Sequence, residues 1–234
     1  MACYNERVKP ASEVLQQNTF FASLSGNDPA LAAAMAVSRR YARGEKIVLY
    51  GDAWPYFLLI GQGQVDAVKE SGEGRSLLVT TFGPGDIFWG VAFFLKDAPM
   101  PVTLEARTDC ELYLWTCEDL RPILIRNGTV LWTLAQLMVS RMLHASEMLE
   151  GLAFQPIAGR LARLLAELPH DQTSGAVSRS LTLDEMAARI GTTREVVCRF
   201  LYRLAGQGVI SITRTELAIT DRPALLDMAQ TVKG

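Results

Sequence analysis

The stretch from Leu181 to Ile210, LTLDEMAARIGTTREVVCRFLYRLAGQGVI, constrains the fold of this chain more than any other. Thr182 followed three residues later by Glu185 has the spacing of a helix-opening capping box. Leu183, Met186, Ala187 and Ile190 then recur on one helical face, and Gly191 can end that helix in a left-handed conformation. Thr192 and Thr193 stand where a second helix would be capped, and Val196, Val197, Phe200, Leu201 and Leu204 form its apolar face. The remaining face carries Arg194, Glu195, Cys198, Arg199 and Arg203. Two short helices around one turn, with cations on the outer face of the second, have the form of a helix-turn-helix, whose second helix enters the DNA major groove. The alternative is a helical hairpin with a solvated charged face, in which Thr192 and Glu195 only cap and the surface contacts another protein.

The residues after the second helix favour DNA binding. Gly206-Gln207-Gly208 makes a turn, and Val209 to Ile212 and Leu217 to Ile219 alternate like two strands around Arg214-Thr215. That is a wing, which adds Arg214 and the helix cap Thr182 to the candidate contacts with double-stranded DNA. The net charge of −2 is unevenly spread: residues 156–234 hold ten basic and eight acidic side chains, so the C-terminal part is positive and the remainder negative. No apolar run approaches the ~18 residues of a membrane span, and MACYNERVKP has no signal-peptide core, so a cytoplasmic protein without a membrane partner is expected. No P-loop, nucleophile elbow or HExxH is present, and two histidines form no acid–base constellation, which argues against an enzyme. Four scattered cysteines lack metal-ligand spacing, so no metal site is expected.

The first ~118 residues are β-rich and punctuated by glycine. Strands are predicted over Lys46–Tyr50, Tyr56–Ile60, Gln64–Lys69, Ser76–Phe82, Thr103–Ala106 and Cys110–Trp115, with the third and fourth paired around residues 71–74. Gly83-Pro84-Gly85-Asp86 forces a further turn. Short strands with turns at this spacing imply a small antiparallel barrel or jelly roll.

From Thr129 to about Leu152 there is no proline, and no glycine until Gly151. Leu131, Leu134, Met138, Arg141, Ala145, Met148 and Leu152 alternate at spacings of three and four over about three heptads, the stripe of a coiled coil. Such a helix runs roughly 36 Å and is read as a dimer helix, because a two-fold dimer sets two recognition helices one DNA turn apart. Pro156 to Leu168 reads as an amphipathic helix of the C-terminal domain.

The segment Gly191-Thr192-Thr193-Arg194-Glu195-Val196-Val197-Cys198-Arg199 resembles the recognition segment of the cyclic-AMP receptor/FNR (CRP/FNR) family, whose pattern is G-x-[ST]-R-E-x-V-x-R. Arg43 to Ile47, Gly51-Asp52, Gly63 to Val65 and Pro84 to Asp86 resemble, in order, the glycine-marked turns of the cyclic-nucleotide-binding β-roll. The resemblance covers roughly residues 20 to 220. It implies an α+β fold: an N-terminal antiparallel β-roll (jelly roll) over 1–127, a long dimerisation helix and hinge over 128–153, and a winged helix-turn-helix over 154–234. It further implies a homodimeric transcription regulator that reads a palindrome and contacts RNA polymerase. Arg194 and Arg199 would then donate to guanine and Glu195 accept from cytosine N4, on a TGTGA-like half-site or a TTGAT-like one.

The effector segment departs from the family pattern. Where cAMP-binding members read G-E-L and, eight residues later, R-S, this chain reads Trp89-Gly90-Val91 and Met100-Pro101; the adenine-contacting Thr-Ser pair corresponds to Ala145-Ser146. A buried phosphodiester without a cation is prohibitively costly, so cAMP is not expected to bind. Phe88, Trp89, Val91, Phe93, Phe94, Met100, Met142 and Ala145 are the candidate lining of a pocket for an apolar small-molecule effector; the other reading of this run is packed core. The cofactor is left open. An iron–sulfur cluster is not expected from Cys3, Cys110, Cys117 and Cys198 as spaced. Haem would need an axial ligand from Cys110, Cys117, Met100 or the N-terminus, since His144 and His170 lie outside the barrel.

Overall fold

A computed structural model describes residues 10–72, 76–168, 176–177, 181–213 and 217–230. They fall into two compact units, one of residues 1–68 and 80–142, the other of residues 69–79 and 143–234.

The first unit opens with three short helices, α1 (Ala11–Gln17), α2 (Thr19–Ala22) and α3 (Asp28–Met35), and continues into eight strands. These are β1 (Val37–Tyr41), β2 (Lys46–Val48), β3 (Tyr56–Gln62), β4 (Val65–Glu70), β5 (Ser76–Phe82), β6 (Ile87–Trp89), β7 (Thr103–Ala106) and β8 (Cys110–Thr116), with the one-turn helix α4 (Val91–Phe94) after β6. They form two four-stranded sheets of order β1-β8-β3-β6 and β2-β7-β4-β5, the jelly-roll arrangement that the turn spacing predicted.

Strands β3 and β8 pair from Tyr56↔Thr116 to Ile60↔Leu112 and are buried on both faces, which is why YFLLI reads as a continuous apolar run and CELYLW as one broken only by Glu111. On one face Phe57, Leu59, Tyr113 and Trp115 pack against Leu15, Phe20, Phe21 and Ala32 of the N-terminal helices. Leu120, Ile123 and Leu124 of α5 (Cys117–Arg126) join the same core. Asp28 ties these helices together: it accepts from the Arg126 guanidinium and from Asn127 Nδ2 (2.6 Å), and both bonds hold its carboxyl below the usual range. Helix α6 (Gly128–Phe154) follows, and the boundary between the units falls inside it.

The second unit contains the last turns of α6, then α7 (Ile157–Glu167), β9 (Ala176–Val177), α8 (Leu183–Ile190), α9 (Arg194–Gly206), β10 (Ile210–Ile212), β11 (Leu217–Ile219) and α10 (Arg222–Gln230). Its core joins Leu161 and Leu165 of α7 to Met186 and Ile190 of α8, Val197, Leu201 and Leu204 of α9, and Leu225 of α10. Strands β10 and β11 pair in the register Ile210↔Ile219 to Ile212↔Leu217, and β9 adds a third strand on β11. No helix among the described residues is long and apolar enough to cross a membrane.

Candidate nucleic-acid interface

The turn between α8 and α9 is built as the spacing required. The Thr182 hydroxyl accepts the Glu185 N–H (3.2 Å) while the Glu185 carboxylate accepts the Thr182 N–H (2.7 Å), closing the capping box. Gly191 takes φ 65° and ψ 49°, and its N–H bonds to Ala187 O, as a left-handed C-cap does. A Cβ there would also lie 2.9 Å from Leu152 Cδ2, which would have to shift, so the left-handed backbone is the main demand for glycine.

Helix α9 buries Val197, Leu201 and Leu204 and leaves Arg194, Glu195, Arg199 and Arg203 on its outer side, with Cys198 half-buried between them. Residues 195, 199 and 203 are one turn apart on the same face. Thr193 is the N-cap by backbone, yet its hydroxyl caps nothing; it bonds to the Glu195 carboxylate, which also accepts its own amide N–H and is held below the usual carboxylate range. Glu195 thus stands exposed in the first turn as an acceptor. Arg194 pairs with Asp184 across the turn (3.1 Å), and the Arg203 guanidinium lies 4.9 Å from the Phe200 ring centre. Thr192 is half-buried and donates its amide N–H to Ala187 O (3.0 Å). Arg214, His170 and Cys3 lie outside the described residues. Two side chains of this surface escape the helix-turn-helix pattern. Tyr202, 70% exposed, sits one turn after Cys198, a position its i+4 spacing announces. Asp184 pairs with Arg194 ten residues away, and no local pattern reports it.

In the first unit the effector candidates separate. Met100 and Phe93 are buried in the core, and the 43%-exposed Phe94 stacks edge-on against Phe93. Phe88 and Trp89 are half-buried, as is Val91 at the start of α4. Met142 is 64% exposed, and Ala145 of the second unit is exposed as well. Of the eight, Met100 and Phe93 are thus buried in the first unit, whereas Met142 and Ala145 are exposed. Cys110 is buried like Met100, and burial pushes its thiol up to about 11.

At Gly90, where the cAMP-binding members carry the glutamate of G-E-L, a Cβ would fall 1.7 Å from the Trp54 carbonyl oxygen, so no side chain fits there. A cation does stand beside this segment. The Arg141 guanidinium lies 4.2 Å from the Trp89 ring centre, 5.1 Å from Phe82 and 5.7 Å from Phe88, and donates to Ile87 O. Burial among these rings pushes its pKa down to about 10, so it stays charged at neutral pH.

Arg141 is thus engaged within the first unit, and three other residues of the predicted stripe are also partly or fully covered by the chain itself. Leu134 is 3% exposed within the first unit's core, Leu152 packs against Gly191, and Met148 is half-buried; only Leu131, Met138 and Ala145 are exposed. The exposed stripe is displaced by one residue: Trp132 (69%), Ala135, Val139 (50%), Met142 (64%), Ser146, Leu149 (67%) and Ala153. Helix α6 is apolar on two faces, so three-four periodicity finds a stripe without saying which one the chain itself covers.

A capped helix-turn-helix with a three-stranded wing, joined by a long helix to a jelly roll, defines a DNA-binding regulator with a cyclic-nucleotide-domain scaffold. Residues 38–127 match the family model of the cyclic nucleotide-binding domain, and residues 159–228 that of the Crp-like helix-turn-helix domain. The chain is 27% identical over 215 residues to the cyclic AMP receptor protein of Thermus thermophilus, covering 92% of this chain and 98% of that one. It is 26% identical over 181 residues to Vfr, a cAMP-activated global transcriptional regulator of Pseudomonas aeruginosa, covering 74% and 85%. The structure of CLP, the c-di-GMP responsive global regulator of Xanthomonas campestris, superposes with a TM-score of 0.72 at 21% identity, over 83% of this chain and 99% of that one. The chain belongs to the CRP/FNR family of transcription regulators.

Proposed function

We propose that this chain acts as a homodimer that reads a palindromic DNA site through α9 and responds to something other than cAMP. The observation that carries the DNA reading is the first turn of α9 and its outer face, where Arg194 and Arg199 offer guanidinium forks and Glu195 an exposed acceptor. Arginine donates to guanine O6 and N7 and glutamate accepts from cytosine N4, which suits a TGTGA-like half-site, with TTGAT-like sites second. The apolar stripe Trp132, Ala135, Val139 and Met142, continued in sequence by Ser146, Leu149 and Ala153, supports self-association along α6. RNA polymerase is the partner a regulator of this family would meet once on DNA.

Against cAMP stand Gly90, with no room for a carboxylate, the buried Met100, and Ala145 in place of the adenine threonine. The guanidinium of Arg141 does not restore the site, because three rings flank it and one N–H is committed to Ile87. A mobility shift on palindromic and random duplexes, with and without millimolar cAMP, tests both parts. Retardation of the palindrome that cAMP leaves unchanged is expected; no retardation of either duplex would favour a protein-contact role, and a cAMP-dependent gain would reject the effector reading.

A further inference from the structure

Arg160, one turn into α7, joins three helices of the second unit through a single side chain. Its Nε donates to the carbonyl of Ile190 (2.9 Å), the last residue of α8 and the one preceding the Gly191 turn. Its Nη1 donates to the carbonyl of Gln155 (2.8 Å), the residue after α6, and lies 3.5 Å from those of Leu152 and of Gly151, which also accepts the Gln155 N–H (3.1 Å). The last carbonyls of a helix have no partner within it and form its negative pole. One planar fork thus serves two helix ends at once, which five rigidly arranged donors allow and a single ammonium does not. A second contact acts at the same place: Leu152 of α6 touches Gly191 so closely that a Cβ would have to displace it.

We propose that Arg160 is a positioning residue for DNA binding: it fixes the helix-turn-helix to the end of α6 and so sets the separation of the two recognition helices in the dimer. The inference rests on the dimeric reading above. Residues 143–154 of α6 belong to the same compact unit as α8 and α9, so the direction of α9 follows that of these last turns of α6 while this clamp holds. Without the clamp, each recognition element still reads its half-site but swings about residues 155–156.

Half-site spacing is the readout, since each added base pair rotates one half-site by roughly 35° about the duplex and moves it about 3.4 Å. Full-length wild type, R160K and R160Q are titrated by fluorescence anisotropy against inverted TGTGA repeats whose spacer is varied by one base pair either way, and against a single half-site. Wild type should prefer one spacer by about tenfold or more, the factor that ~1.4 kcal/mol supplies. R160Q should bind all three spacers within about threefold, with single-half-site affinity and dimer mass unchanged. R160K keeps the charge and the aliphatic stem and should show the same broadening. A folded R160K or R160Q that retains the wild-type spacer preference overturns the proposal, as does failure of both variants to fold, which would make Arg160 a folding determinant only. A wild type with no spacer preference or no dimer would count instead against the dimeric reading.

Discussion

Replacing Met142 with Asp separates the two stripes of α6. Burying a methionine fully is worth ~1.5–3 kcal/mol, and Met142 is 64% exposed. Its seam burial therefore contributes about 1–2 kcal/mol per protomer, or about 2–4 kcal/mol across a two-fold interface. The substitution also sets two uncompensated carboxylates into an apolar contact, at a further cost of several kcal/mol. At ~1.4 kcal/mol per tenfold, the dimer dissociation constant should rise by about three powers of ten or more. Sedimentation equilibrium should give a monomer for M142D where wild type is dimeric, with an unchanged far-ultraviolet spectrum. Leu134, only 3% exposed among Leu120, Leu124 and Val130, is the control. L134D should lose the fold, since truncating a buried leucine alone costs about 2–5 kcal/mol and a buried carboxylate adds to that. A dimeric M142D beside a folded, monomeric L134D would refute the reasoning and return the seam to the inner stripe.

Three further outcomes are expected. Arg199→Ala should cost about 1–3 kcal/mol in binding the palindrome and relax preference at one base pair per half-site; equal weakening on every duplex would make Arg199 a phosphate contact. Gly90→Glu should destabilise the jelly roll by about 3 kcal/mol or more, lowering the calorimetric midpoint by roughly 6–12 °C, because its Cβ meets the Trp54 carbonyl; an unchanged midpoint with new cAMP binding would contradict the fit. The Asp28 carboxyl titrates below its ordinary value of 3.8 in the folded chain. Its contribution is thus complete above the unfolded value and lost as pH falls through the folded one, so urea midpoints of Asp28→Asn should fall less than those of wild type between about pH 5 and pH 2.

The C-terminal half is the more legible in sequence, because its signals are local. The capping box at Thr182, the left-handed Gly191 and the 3.6-residue period of Val197, Leu201 and Leu204 each act within one turn. Helix α10 is absent from the sequence reading although Asp221 accepts the Ala224 N–H and Pro223 opens the first turn, a start signal readable in sequence. In the first unit β3 and β8 stand out as apolar runs, but β1 (VSRRY) does not, since four of its five residues are exposed and show no alternation. Helices α1 to α3 are four to eight residues long and are held by β3 and β8 rather than by their own periodicity. The site is legible where it depends on helix faces and silent where it depends on contacts distant in sequence: Arg141 with the rings of β5 and β6, Arg194 with Asp184, and Arg160 with Ile190.

The central claim, sequence-specific reading of a palindrome by α9, is tested most directly by selecting from a random-sequence duplex library with the full-length chain and sequencing what is retained. The account predicts enrichment of an inverted repeat whose half-sites carry a guanine contacted by arginine and the cytosine partner contacted by Glu195, as in TGTGA or TTGAT. Recovery of duplexes without dyad symmetry, or without any enriched sequence, would contradict it.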